Sequence, residues 1–128
     1  MKYLLDTHTF LWLDIQPGKL SPAAKAALSQ PDAERYLSVV SVWEIVIKLA
    51  IGKLAMKNPL PVVLNEQRQK NALQILPVAL EHVLAVEGLA PHHNDPFDRL
   101  LIAQALSEGM SLVSADPALS AYPTPVVW

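Results

Sequence analysis

Short apolar runs alternate along the chain with longer stretches in which apolar and polar residues are mixed. The short runs are typical of buried strands, and we predict strands at residues 2–5, 36–40, 73–77, 112–114 and 125–128. The longer stretches repeat their apolar positions at helical spacing. They predict helices at residues 10–15, 21–28, 42–51, 61–73, 80–86 and 96–108.

Strands alternate with helices from one end of the chain to the other. This order predicts an α/β fold, a three-layer α/β/α sandwich with a mainly parallel central sheet. No internal repeat, low-complexity tract or linker interrupts the pattern. We therefore expect a single domain over residues 1–128.

The helix predicted at residues 96–108 carries the strongest local signals. Asp95 or Asn94 can serve as its N-cap, Pro96 suits its first position, and Gly109 ends it. Its apolar residues cover most of its circumference, which indicates a helix packed against a sheet and its neighbours. Its acidic residues lie at the N-terminal end, where strand-to-helix folds bind ligands.

Composition narrows the class of protein. With 52% hydrophobic and 17% charged residues, a chain of 128 residues can bury a sizeable core. The absence of cysteine excludes disulfides and thiolate metal sites. The apolar run near the N-terminus is too short for a signal peptide, and no segment approaches the roughly 18 apolar residues of a membrane span. We expect a soluble, cytoplasmic protein without membrane association.

The formal net charge of −2 argues against a polybasic nucleic-acid binder, because phosphate contacts come from Lys and Arg. That argument weakens if several carboxylates hold metal ions. The remaining charges would then be positive in sum, and the ions themselves would attract phosphate.

Each candidate acid also has a structural interpretation. Asp6 closes the first strand and could equally cap the following helix. Glu44 lies three residues after Ser41, the spacing of a capping box, and four before Lys48, the spacing of a helix ion pair. Asp116, before a proline, could cap a final short helix.

The third acidic position has two candidates. Asp95 and Asp98 are three residues apart across the start of one helix. Asp95 is better placed to cap that helix. Asp98 lies inside the first turn and can project into a cleft, so we favour Asp98 for the third place.

The joint placement of the acids is more informative than any one of them. All four follow a strand or begin a helix, and a parallel sheet brings such positions to one edge: Asp6, Glu44, Asp98 and Asp116. Such a cluster repels itself, which raises its pKa values. Its oxygen ligands suit Mg²⁺ or Mn²⁺. Metal-assisted phosphodiester hydrolysis follows as a hypothesis.

Four segments together resemble, in this order, the motifs of PIN-domain ribonucleases, and more narrowly the VapC toxins of bacterial toxin–antitoxin pairs: residues 4–10, 41–44, 95–105 and 112–116. The resemblance covers nearly the whole chain. It implies Mg²⁺- or Mn²⁺-dependent endonucleolytic cleavage of RNA, homodimerisation, and inhibition by a small VapB-like antitoxin. It also implies that the four acids bind the metal and that the Ser114 hydroxyl supports Asp116. We take Thr7 and Asp95 as further supporting residues.

The remaining polar residues give weaker signals. Arg99 and Lys48 are candidates for contacts to RNA phosphates, and a structural salt bridge from Arg99 to Asp95 or another acid is the alternative. The four histidines do not form a zinc-ligand pattern. His8 is close enough to Asp6 to line the site, and we interpret residues 92–93 as a polar loop. The three tryptophans are scattered, which favours core or interface packing.

Two other functions remain open from the sequence. A non-catalytic protein-interaction module on the same fold would use the acids only as helix caps. A phosphotransfer enzyme would use Asp6 as a covalent nucleophile, but there is no second aspartate two residues on and no evident activating lysine. Metal binding would separate the ribonuclease from the interaction module.

Overall fold

The first strand of the chain lies at the centre of the sheet. The computed structural model describes residues 1–128, and its five strands are ordered β3-β2-β1-β4-β5. The strands are β1 (Lys2–Leu5), β2 (Glu34–Ser38), β3 (Gln74–Leu76), β4 (Ser111–Val113) and β5 (Val126–Val127). Every pairing between neighbours is parallel. The predicted parallel sheet is confirmed.

Six α-helices connect the strands. They are α1 (Thr7–Ile15), α2 (Pro22–Leu28), α3 (Val39–Ala50), α4 (Leu60–Lys70), α5 (Leu80–Val86) and α6 (Pro96–Glu108). Short 3₁₀ helices span Pro17–Lys19 and Pro117–Ala121. No helix is long and apolar enough to cross a membrane.

Two apolar clusters cover the two faces of the sheet. Because side chains alternate along a strand, Leu4 and Leu5 of β1 point to opposite faces. Leu5 belongs to the cluster that contains Phe10 of α1, and Leu4 to the cluster that contains Leu101 and Ile102 of α6. All five of these side chains are fully buried. The predicted three-layer α/β/α sandwich is confirmed.

The boundary between β2 and α3 differs from the prediction. The strand ends at Ser38, and the helix begins at Val39 rather than at residue 42. The Ser38 hydroxyl accepts a hydrogen bond from the Val40 amide at 3.1 Å, so Ser38 is the N-cap. Ser41, whose spacing from Glu44 suggests a capping box, lies inside the helix instead. The β-branched residues that favoured a longer strand form the first turn of α3.

Other helix ends follow local backbone conformation. Helix α4 stops at Lys70 instead of continuing to residue 73, because Ala72 adopts a left-handed conformation with φ 52°. Helix α6 ends as predicted at Gly109, whose φ of 65° is a conformation that glycine adopts without steric cost. The carboxyl ends of β1, β2 and β4 share one edge of the sheet, and the candidate acids gather there.

Candidate active site

Asp6 joins the end of β1 to the start of α1. Its Oδ1 accepts a hydrogen bond from the Thr9 amide at 2.8 Å, which makes it the N-cap of α1. Its own amide donates to the Val113 carbonyl at 3.1 Å, and the Thr9 hydroxyl donates to the same oxygen at 2.9 Å. These bonds tie the start of α1 to the end of β4, so the Asp6 carboxylate has a fixed position.

Glu44 lies on α3 with its carboxylate buried, and each of its two oxygens has one partner. Oε1 accepts a hydrogen bond from the Thr7 hydroxyl at 2.6 Å, and Oε2 lies 2.8 Å from Lys48 Nζ. Thr7 therefore fixes one oxygen of the Glu44 carboxylate. The Lys48 ammonium forms the helix ion pair that the i,i+4 spacing indicates, and its contact with an RNA phosphate stays a prediction.

The N-terminus of α6 separates the two candidates for the third acid. Asp95 Oδ1 accepts from the amides of Phe97 and Asp98 at 2.8 and 3.3 Å, so Asp95 is the cap. The Asp98 carboxylate caps nothing and instead lines a cavity with Asp6 and Asp116. The sequence likewise favoured Asp95 as the cap and Asp98 as the residue that projects into the cleft.

Asp116 follows β4 and begins the last 3₁₀ helix. Its Oδ1 accepts from the Ala118 amide at 2.9 Å, and its own amide donates to the Ser114 hydroxyl at 3.1 Å. Ser114 is buried, with 1% of its surface exposed. The Ser114 hydroxyl thus holds the backbone that carries Asp116.

The site is a polar cavity of about 350 Å³ at the carboxyl edge of the sheet. It is lined by Asp6, His8, Trp12, Asp98, Ala115 and Asp116. His8 lines the cavity, as its closeness to Asp6 in the sequence indicates. Glu44 is not among the lining residues, although its charge acts on Asp98. A second cavity of about 350 Å³, between α1, α2 and α4, has no carboxylate in its lining.

Within the acid cluster, the pKa of Asp98 is clearly shifted. Burial raises the pKa of the Asp98 carboxyl to about 6, and the neighbouring Asp95 carboxylate adds to this rise. The His93 imidazole opposes it, while Asp6 and Glu44 raise it further. Asp98 therefore shares its electrostatic environment with Asp95, Asp6 and Glu44, and burial together with these charges makes its ionisation less favourable.

His93 is the site residue that sequence reasoning missed. Its Nε2 lies 3.0 Å from Asp98 Oδ2 and 3.1 Å from Asp116 Oδ2. His93 does lie in a loop, as interpreted from the sequence, but its ring contacts two acids of the cluster, which the sequence did not indicate. The one local signal was its place two residues before the helix cap Asp95, because the other contacts depend on the tertiary fold.

Arg99 serves the loop before α6. Its guanidinium donates to the Tyr122 hydroxyl and to four backbone carbonyls, that of Val86 at the end of α5 and those of Leu89, Ala90 and His93 in the loop that follows. It forms no salt bridge with Asp95 or another acid, so that alternative is wrong, while its contact with RNA phosphate stays a prediction. Arg99 holds the loop that presents His93.

Comparison with known proteins identifies the family to which this chain belongs. A family model described as the PIN domain matches residues 3–124. The chain belongs to the PIN-domain family. It is 30% identical to ribonuclease VapC22 of Mycobacterium tuberculosis in an alignment of 129 positions that spans 98% of this chain and 97% of that protein. The family predicted from the sequence motifs is confirmed.

Solved structures share the fold of this PIN domain. VapBC2 from Rickettsia felis, bound to a promoter DNA fragment, superposes with a TM-score of 0.70 at 15% identity over 98% of this chain and 97% of that one. FitAcB from Neisseria gonorrhoeae gives a TM-score of 0.61 at 19% identity, over 97% and 95%. At these identities the likeness concerns the architecture.

The acids of this PIN domain suit a hard divalent ion. Asp6, Asp98 and Asp116 offer carboxylate oxygens to one cavity, which is the donor set that Mg²⁺ and Mn²⁺ prefer. Burial, followed by the charge of the Asp95 carboxylate, raises the pKa of Asp98, and a cation beside it would favour the ionised form. The Ser41 hydroxyl, one helical turn before Glu44, is buried without a hydrogen-bond partner. Both features fit residues that accommodate a hydrated cation.

Proposed function

We propose that this PIN-domain protein is a VapC-type toxin, an endoribonuclease that hydrolyses RNA phosphodiester bonds with Mg²⁺ or Mn²⁺. The observation that carries the proposal is the convergence of Asp6, Asp98 and Asp116 on one cavity, with the pKa of Asp98 raised to about 6. The similarity to a protein named ribonuclease VapC22 supports RNA as the substrate.

The proposed metal ligands are Asp6, Glu44, Asp98 and Asp116. When bound, the ion lowers the pKa of a water molecule and stabilises charge on the phosphate and leaving oxygens. Glu44 accepts only two hydrogen bonds from the protein, and a carboxylate has about four lone-pair sites, so it retains oxygen lone pairs for this role. The cap bonds of Asp6 and Asp116 orient their carboxylates in advance, which limits the entropy lost on binding.

The interaction-module alternative fits the site less well. Asp6, Asp95 and Asp116 do cap helices, as that alternative requires. Asp98 caps nothing, is mostly buried, and is destabilised when ionised. Ionised Asp98 costs free energy in the metal-free fold, and a bound cation would offset that cost. Asp98 therefore favours the enzyme.

We also propose two protein partners. The similar structures include complexes named VapBC and a toxin–antitoxin complex from Klebsiella pneumoniae, which supports a small VapB-like antitoxin as one partner. A second copy of the chain is the other. Exposed apolar side chains of α3, among them Trp43 with 60% of its surface exposed, are consistent with an interface.

The test compares Asp98→Asn with the parent protein in cleavage of structured RNA, with Mn²⁺ or with chelator. The amide keeps the side-chain volume and removes the charge, so we expect cleavage to fall roughly 100-fold or more with an intact circular dichroism spectrum. Asp32→Asn, an exposed acid far from the cavity, is the matched control and should cleave normally. Equal cleavage by Asp98→Asn, or undiminished cleavage in chelator, would contradict the proposal.

A further inference from the structure

The His93 ring is held on both of its nitrogen atoms. Nε2 is within 3.1 Å of one oxygen from Asp98 and one from Asp116. Nδ1 lies 3.1 Å from the backbone amide of Asp95. The side chain is 16% exposed, so water has little access to either contact. These two contacts together decide where the ring carries its proton.

A backbone amide can only donate a hydrogen bond, and Nδ1 must therefore accept through its lone pair. In a neutral imidazole the other nitrogen then carries the hydrogen. Nε2 faces two carboxylate oxygens, which are acceptors, so a hydrogen on Nε2 satisfies both partners. The Asp95 amide and the two carboxylates specify the same tautomer.

We propose that His93 is a positioning residue that shares its Nε2–H between Asp98 and Asp116 and is not itself a metal ligand. The proposal rests on the proposed function, because the two carboxylates are proposed ligands there. The Nε2 and carboxylate oxygens of these three residues lie within 4.8 Å of one another, a spacing that would also suit an ion bound by all three. Tautomer chemistry separates these two arrangements.

A ligating nitrogen must offer a lone pair. The only lone pair of neutral His93 is on Nδ1, and the Asp95 amide occupies it. Ligation through Nε2 would require the ring to lose that hydrogen bond and leave a half-buried amide unsatisfied. The hydrogen-bond donor arrangement requires no such loss. It also follows a common pattern, in which a neighbouring group orients the carboxylates that hold a metal.

The hydrogen bonds of His93 form a bridge between Asp98 and Asp116, two carboxylates whose negative charges repel each other. Asp98 lies on α6, and Asp116 lies in the turn after β4. The loop that carries His93 is itself held, since Arg99 of α6 donates to the His93 carbonyl at 3.3 Å. The N-terminal turn of α6 therefore positions one proposed ligand directly and the other through His93.

Long-range ¹H–¹⁵N NMR of the histidine rings tests the tautomer without reference to activity. We expect His93 to show a protonated Nε2 and an unprotonated, hydrogen-bonded Nδ1, and to keep this pattern when Mg²⁺ is added. A protonated Nδ1 in either state, or loss of the Nε2 hydrogen with Mg²⁺, would overturn the proposal. His92, whose ring packs edge-on against Tyr122, is the neighbouring reference signal.

Mn²⁺ titration by calorimetry tests the positioning role. His93→Ala removes the bridge, and we expect a 10- to 100-fold loss of affinity, the usual effect of removing a group that orients metal ligands. His93→Gln places an amide N–H near the position of Nε2 and should recover most of it. His92→Ala is the matched control and should bind as the parent does. Equal losses in the Ala and Gln variants, or no loss in either, would contradict the role.

Pulsed electron paramagnetic resonance of the Mn²⁺-bound parent decides direct ligation. If His93 is not a ligand, the spectra of the parent and of His93→Gln should show the same ¹⁴N couplings. A ¹⁴N coupling that is present in the parent and lost in His93→Gln would overturn the inference even if the protein cleaves RNA. If the parent binds Mn²⁺ with the expected variant pattern but cleaves no RNA, the proposed function fails and the role of His93 stands. A parent that binds no Mn²⁺ would overturn both.

Discussion

At the scale of single residues, Asp98 links the stability of the protein to pH. Its pKa rises from an ordinary 3.8 to about 6 in the folded chain. The folded state therefore holds the proton more tightly than the unfolded state does. Protonated Asp98 therefore contributes to the free energy of unfolding in full below about pH 4, and this contribution is lost as the pH rises through 6. A shift of this size corresponds to about 2–3 kcal/mol.

Asp98→Asn should remove this pH dependence. In metal-free protein we expect the variant to gain about 2–3 kcal/mol of unfolding free energy over the parent between pH 4 and pH 7, because the parent alone must ionise a buried carboxyl. Urea denaturation at several pH values, in chelator, measures the difference. Asp32→Asn should track the parent at every pH. A constant difference between Asp98→Asn and parent would refute the assigned cause.

At the scale of elements, the start of α6 depends on one side chain. Asp95 accepts hydrogen bonds from two amides of the first turn. Asp95→Ala should lower the unfolding free energy by about 1 kcal/mol, whereas Asp95→Asn should preserve it, since asparagine caps equally well. Chemical denaturation of both variants is the measurement. Equal stability of the Ala and Asn variants would show that the cap contributes nothing.

The elements also show what local sequence can predict. The start of α6 was predicted because its cap, its proline and its first-turn acid are neighbours in the chain. The start of α3 was misplaced because Val39 and Val40 favour a strand while the cap of Ser38 fixes a helix. In that case a single hydrogen bond outweighs the propensity of two residues.

His93 and Arg99 mark the limit of sequence reasoning for the site. Their partners lie in other elements: Asp116 for His93, and Tyr122 and the loop carbonyls for Arg99. No spacing rule connects such positions. The acids could be predicted because each one follows a strand of a parallel sheet, and the topology brings those positions together.

At the scale of the whole molecule, a bound ion should stabilise the folded chain. At a Mn²⁺ concentration 100 times the dissociation constant, linkage adds about 2.7 kcal/mol to the unfolding free energy. We expect Mn²⁺ to raise the melting temperature of the parent and to leave that of Asp98→Asn unchanged, as measured by thermal circular dichroism. An equal rise in both proteins would mean that the ion binds elsewhere.

The proposed dimer also belongs to this scale. Val39, Trp43 and Val46 form an exposed apolar stripe along α3. Trp43→Glu should shift the protein towards monomer in multi-angle light scattering, because a charge would be buried in the interface. Val62→Glu, a comparable change on exposed α4, should leave the mass unchanged. A parent that is monomeric at micromolar concentration would remove the basis for the dimer.

The central position of β1 has a consequence for synthesis on the ribosome. β1 is translated first, yet it pairs with β4, and the Thr9 hydroxyl binds the Val113 carbonyl 104 residues away. At about 5–20 residues per second, that separation takes about 5–20 s to translate. The cavity acids therefore cannot assemble until Asp116 has been translated and has left the exit tunnel. A nascent chain that is shorter than this has no complete acid cluster, and we expect it to lack the proposed activity.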